Sequence, residues 1–156
     1  MLKQWDLLTE MGQRVSTGAL AFPRQVVAEL TTIRFPDAPG AWIASAKHSV
    51  QHPEPAEESL VRVLAVAADL IEADHPGDPA DPYVLAMALE LGERHPTSQV
   101  VLVTNDVVDR LPVKIALRTG CQRVGVETCR APAFLAWLLN PATKLVDAED
   151  DDEGAA

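Results

Sequence analysis

The stretch that decides the fold is DPADPYVLAMALELGERHPTSQVVLVTNDVVD, from Asp78 to Asp109. It reads as acid, helix, strand, acid. Asp81 stands just before Pro82, and an apolar run follows with helical spacing through Tyr83, Val84, Met87, Ala88 and Leu91. Asp at the cap and Pro at the first helical position form a start signal. After Gly92 and His95-Pro96 comes VVLV, a continuous β-branched run that suits a strand covered on both faces. It ends in Thr104-Asn105-Asp106. Carboxylates at a helix start and at a strand end are both expected at the carboxyl edge of a sheet, where open α/β sheets place their sites.

Working outward, the sequence predicts a helix from Leu2 to about Met11, with Leu2, Trp5 and Leu8 on one face, and a short buried strand at GALAF (18–22). Pro23 opens a helix with Val26, Val27 and Leu30 inward and Glu29 near its far end. FPDAPG (35–40) is a loop by its Pro and Gly content. Trp42, Ile43 and Ala46 suggest a short helix. From Pro55 to Ala73 the chain reads as a long core helix, with Glu57 and Glu58 in a first turn that favours acids. Beyond Asp109, a helix is predicted over about Pro112 to Thr119, stopped by Gly120. RVGVET (123–128) is a second short strand and APAFLAWLL (131–139) a final helix. Strand, helix, strand, helix implies parallel pairing through a right-handed crossover, so the class is α/β and helix-rich.

Length and charge bound the function. The 156 residues fit one domain, and 47% hydrophobic content supports a core. The net charge is −10. Six acids, Asp147, Glu149, Asp150, Asp151, Asp152 and Glu153, lie near the carboxyl end; without them −4 remains. The expected organisation is a domain over 1–140 followed by an acidic, disordered tail over 141–156. A mildly acidic body does not bind nucleic acid by charge alone. The absence of a long apolar run argues against a membrane span, and two cysteines make no disulfide framework, so a cytoplasmic setting is expected. His48, His52, His75 and His95 share no ligand spacing, and Cys121 and Cys129 form no CxxC, which argues against zinc. Neither GxGxxG nor a P-loop occurs. The three tryptophans are read as core or interface anchors.

Three motifs in order, VVAEL (26–30), ADPYVLAMAL (80–89) and VLVTND (101–106), together with RLPVKIALRTGCQRVGVET (110–128), resemble the acidic motifs and closing elements of PIN-like domains, most of all the toxins of bacterial toxin–antitoxin systems. The resemblance implies a three-layer α/β/α fold with a small parallel sheet and a metal-dependent endoribonuclease. Glu29, Asp81 and Asp106 would be the catalytic acids, holding Mg²⁺ or Mn²⁺, with Thr104 and Asn105 contacting phosphate or a metal-held water. Clustered carboxylates repel one another unless a cation joins them, and hard cations prefer oxygen ligands. Arg110, Lys114 and Arg118, at intervals of four, are read as one basic helix face contacting RNA. The implied partners are RNA, an antitoxin protein and further copies of the chain. PIN-like domains begin with a central strand carrying an Asp, and this sequence begins at the following helix. Little nuclease activity is therefore expected of the chain as written. The alternative is a non-catalytic PIN-like interaction module; a response-regulator-like or nucleotide-binding module fits less well, because no acid follows a first strand.

Overall fold

β-branched Val101–Val103 and Glu127–Cys129 form the sheet, two short parallel strands (β1 and β2) in a computed structural model that describes residues 4–32 and 37–148. Val101 faces Glu127, Leu102 faces Thr128 and Val103 faces Cys129. The sheet is embedded in helices. These are α1 (Gln4–Ser16), α2 (Arg24–Thr31), α3 (Ala38–Ala46), α4 (Glu57–Ala67), α5 (Ala80–Arg94), α6 (Leu117–Val124) and α7 (Ala131–Leu139). The helix-rich α/β class and the parallel pairing agree with the sequence. The order β1, α6, β2 is the expected crossover.

The core lies where α4, α5 and α6 meet β1. Val63 and Ala67 of α4, Leu85 and Ala86 of α5, Leu102 of β1, and Ile115 and Cys121 near and on α6 pack as one cluster. Leu85 is fully buried, and four residues before it on α5 stands Asp81. The same helix face that fills the core therefore fixes the height of that carboxylate. Gly120 allows α6 to close on the core: a Cβ there would stand 3.0 Å from Leu70 Cδ2.

Several expected elements differ. GALAF is not a strand. Ala19 N and Leu20 N both donate to Arg14 O, at 2.8 and 3.1 Å, and Gly18 turns with φ of 80°. Those donors close the end of α1 and are not available to a ladder. The helix expected at Pro112–Thr119 is replaced by a tight turn, in which Arg110 N donates to Lys114 O at 2.9 Å and Val113 N to Arg110 O at 2.7 Å. Helix begins only at Leu117, so Gly120 lies inside it, and Gly125, with φ of 76°, is the stop. Helix α5 starts two residues earlier than expected: Pro79 is its cap, so Asp81 and Pro82 are inside the first turn. The long helix ends at Ala67 and passes into a 3₁₀ turn, Ala68–Leu70. Trp5 and Leu30, expected inward, are exposed, and Gln25 is buried in place of Leu30. Leu2 and Glu149 to Glu153 fall outside the described residues. Asp147 does not hang free: its Oδ1 accepts from Arg130 N at 2.6 Å.

Candidate functional site

The carboxyl end of β1 meets the starts of three helices, and four of the predicted site residues are placed there by helix starts. A helix leaves its first N–H groups without partners, and an acceptor side chain that reaches them is favoured by both hydrogen bond and dipole. Glu29 Oε1, from α2, accepts from Ala80 N at the start of α5, at 3.0 Å. Asp106 Oδ2 accepts from Leu117 N at the start of α6, at 3.1 Å, and Asp106 O accepts from Arg118 N at 3.2 Å. Asn105 Oδ1 accepts from Ala131 N at the start of α7, at 3.0 Å. Asp81 stands in the first turn of α5. Thr104 Oγ1 accepts from Asp106 N at 3.0 Å, which fixes the turn that presents Asp106.

The centre of this region is an ammonium group. Lys114 Nζ donates to Asp81 Oδ2 at 2.7 Å and stands 3.6 Å from Asp106 Oδ2. Asp81 and Asp106 lie on different elements and share this one cation. Burial alone would pull the Lys114 ammonium below the usual lysine value. The hydrogen bond from Lys114 to Asp81 and the charges of Asp81 and Asp106 outweigh it and hold the value above. Lys114 thus stands protonated between two carboxylates, and its side chain is only 16% exposed.

The three acids do not form the expected cluster. Among the described residues, no group of three or more His, Cys, Asp and Glu side chains is set to hold a metal ion. Asp81 and Asp106 converge; Glu29 joins them only through the backbone, being bonded to the residue before Asp81. The pair offers carboxylate oxygens, and the ammonium of Lys114 occupies the space between them. Mg²⁺ commonly takes one or two carboxylates and keeps water in its other positions.

The basic helix face is not observed. Arg110 and Lys114 pair across the turn before α6, and Arg118 alone of the three is on the helix. Arg110 and Arg118 are exposed, while Lys114 reaches the acid pair. A role for Lys114 inside the acid site was not legible from its spacing, because the four-residue interval suggests one helix. Asp109 was also passed over. Its Oδ1 accepts from Ala116 N at 2.8 Å and from Thr119 Oγ1 at 2.6 Å. Those bonds, that with Thr119 first, hold its carboxyl below the ordinary aspartate range. Asp69 and Arg123 form a second ion pair, at 2.7 and 3.1 Å, and Arg123 also donates to Val66 O at 3.0 Å.

The cysteines carry no nucleophile. Both are free and buried. Burial first, and then the charge of Asp81, push the Cys121 thiol up to about 12. A cavity of about 540 Å³ between α1 and α3, lined by Gly12, Ser16, Trp42 and Ser45 among others, contains none of the candidate acids. No helix among the described residues is long and apolar enough to cross a membrane. No protein-family model matches the chain, and no characterised protein or solved structure is significantly similar to it.

Proposed function

We propose that the chain is a PIN-like endoribonuclease of low activity, dependent on Mg²⁺ or Mn²⁺, acting as the toxin of a toxin–antitoxin pair. The observation that carries this reading is the sharing of one cation by Asp81 and Asp106, at 2.7 and 3.6 Å from the same ammonium nitrogen. Asp81 and Asp106 would hold the metal, and Glu29, from α2, would fix the start of α5 through its bond from Ala80 N. When bound, the metal neutralises charge on the phosphoryl oxygens and makes water more acidic. The chain's own residues supply position. Thr104 fixes the turn that presents Asp106. Asn105 gives its side-chain oxygen to α7 and keeps its amide nitrogen as a donor to phosphate. Arg110 and Arg118, both exposed, would contact the backbone of RNA. The setting proposed is the cytoplasm, where the free thiols of Cys121 and Cys129 stay reduced.

A second reading, a non-catalytic PIN-like module that acts by binding an antitoxin or another copy of the chain, is favoured by one specific observation. Val108 and Leu111, each 72% exposed, and Val113 stand on the loop that carries Lys114. Apolar side chains grouped on one exposed loop suit a protein partner.

The test is calorimetric titration of Mn²⁺ and Mg²⁺ into the wild-type chain and Asp81→Asn, with RNA cleavage followed in parallel. The nuclease reading expects cleavage that needs the metal and disappears in Asp81→Asn. Cleavage that survives both chelation and Asp81→Asn overturns it. Absence of both metal binding and cleavage leaves the interaction module as the standing reading.

A further inference from the structure

The segment from Val108 to Arg118 joins two features found together nowhere else among the described residues. The first is apolar exposure. Val108 and Leu111, each 72% exposed, are the most exposed large apolar side chains, and Val113 follows at 47%. The second is unpaired positive charge. Arg24, Arg62, Arg94, Arg123 and Arg130 each pair with a carboxylate, and Arg14 lies over the Trp137 ring. Among the described arginines, the exposed side chains of Arg110 and Arg118 alone have no such partner. The carboxylates nearest in sequence are already committed: Asp109 to Ala116 N and Thr119 Oγ1, Asp106 to Leu117 N and Lys114. Two guanidiniums left open in a chain of net charge −10 are free for carboxylates from another molecule. The backbone that carries them is held in place. Arg110 N donates to Lys114 O at 2.9 Å, Val113 N to Arg110 O at 2.7 Å, and Ile115 N to Asp69 O at 2.9 Å. A surface fixed beforehand loses little conformational freedom on binding.

We propose that this segment is the docking face for an acidic segment of another protein, one whose apolar side chains lie between its carboxylates. The apolar side chains would cover Val108, Leu111 and Val113, and the carboxylates would engage Arg110 and Arg118. The proposal rests on the interaction-module reading and names the chemistry of the partner. The phosphates of RNA would satisfy the arginines, but its backbone offers no cover for the apolar side chains. A two-fold contact with a second copy would set the patch against itself and bring its unpaired arginines together. The chain's own acidic run, Asp147 to Glu153, has no apolar residue but Ala148, so it meets only the charge requirement.

The probe is a displayed library of random peptides, selected against the full chain. Enriched peptides are synthesised with a fluorescent label and their binding is followed by anisotropy. The wild type is compared with Leu111→Ser and with the double variant Arg110→Glu, Arg118→Glu, and thermal melts establish that each is folded. Enriched peptides should combine Asp or Glu with Leu, Ile, Val or Phe. Their affinity should fall by about tenfold or more in each variant. A peptide whose acids are replaced by lysine should prefer the charge-reversed variant to the wild type. Enriched peptides without acids, or acidic ones that ignore the charge reversal but weaken in Leu111→Ser, overturn the acidic partner and leave the interaction module standing. If no peptide is enriched, or none weakens in Leu111→Ser, the proposal and the interaction-module reading of this loop fall together. A short single-stranded RNA is titrated in parallel. RNA binding that needs the two arginines, ignores Leu111→Ser and is not displaced by any peptide gives the arginines to RNA and overturns the proposal.

Discussion

Two ion networks flank α6, and they use their cations differently. At one end, Lys114 is shared between Asp81 on α5 and Asp106 after β1. At the other, Arg123 presents two nitrogens to the two oxygens of Asp69 and gives a further bond to Val66 O. The second network is a clasp. A planar guanidinium matched to one carboxylate leaves neither partner in need of another ion, and it ties the last turn of α6 to the end of α4. The first is a neutralised pair. One ammonium stands against two carboxylates, one of them at 3.6 Å, and net negative charge remains. A clasp holds elements together by matching one cation to one carboxylate; the pair around Lys114 shares one cation between two carboxylates on different elements. The clasp is exposed and screened by water, whereas Lys114 is largely shielded.

Both networks stand on the same core, so the largest effect should strike them together. Leu85 is fully buried between α4, α5 and β1. Leu85→Ala should cost about 3 kcal/mol in denaturant unfolding, since a cavity remains where the side chain was. A loss below about 1 kcal/mol would mean that α5 is not packed as described. The next effect should separate the networks. On the proposed metal-binding role of the pair, Asp81→Asn should weaken Mn²⁺ binding by about tenfold or more, since one of two charged donors is lost. Asp69→Asn should leave any Mn²⁺ binding unchanged and lower the melting temperature. If the two variants change metal binding equally, the distinction between clasp and shared pair is wrong.

The difference also marks where the sequence was readable. The first strand and α7 follow from short β-branched or apolar runs bounded by turn residues, and the structure keeps them. The run RVGVET reads as strand throughout, but Arg123 and Val124 end α6, Gly125 caps it, and only Glu127 and Thr128 of the run lie in β2. The parallel sheet then brings the end of β1 beside the start of α5, so the meeting of Asp81 with Asp106 was foreseeable from element order. The segment between Asp106 and Leu117 was not. Its shape depends on Asp106 reaching Leu117 N and Asp109 reaching Ala116 N, contacts across 11 and 7 residues that leave no periodic trace. The regular interval of Arg110, Lys114 and Arg118 suggested a helix face, although a turn accounts for the first two. Glu29 illustrates a further limit. A glutamate near the end of α2 was legible as a candidate acid, but its bond to Ala80 N depends on how α2 packs against α5, and no local signal carries that.

Acid should dissolve the clasp side in a predictable direction. The hydrogen bond from Arg123 holds the Asp69 carboxyl below the ordinary value of 3.8, and those from Thr119 and Ala116 do the same for Asp109. A carboxyl depressed in the folded state stabilises it above the unfolded value, and that contribution fades as pH falls through the lower folded value. The melting-temperature gap between the wild type and Asp109→Asn should therefore be constant from neutral pH down to about 4 and shrink below it. A gap that widens as acid is added would contradict the assignment of those bonds.

The smallest effect concerns Cys121, on α6 between the two networks. Its thiol is pushed up to about 12, chiefly by burial and secondarily by Asp81. At pH 8 the reactive thiolate is then scarce, and the sulfur is enclosed besides. Alkylation should follow the unfolding of the chain and should not follow the ionisation of a folded thiol. Because burial is the larger cause, Asp81→Asn should change the alkylation rate of the folded protein only slightly, while Leu85→Ala, which loosens the same cluster, should raise it more. Faster reaction in Asp81→Asn than in Leu85→Ala would place Cys121 under the control of the acid pair's charge, and the division of α6 into a shared-lysine end and a clasped end would have to be redrawn around that cysteine.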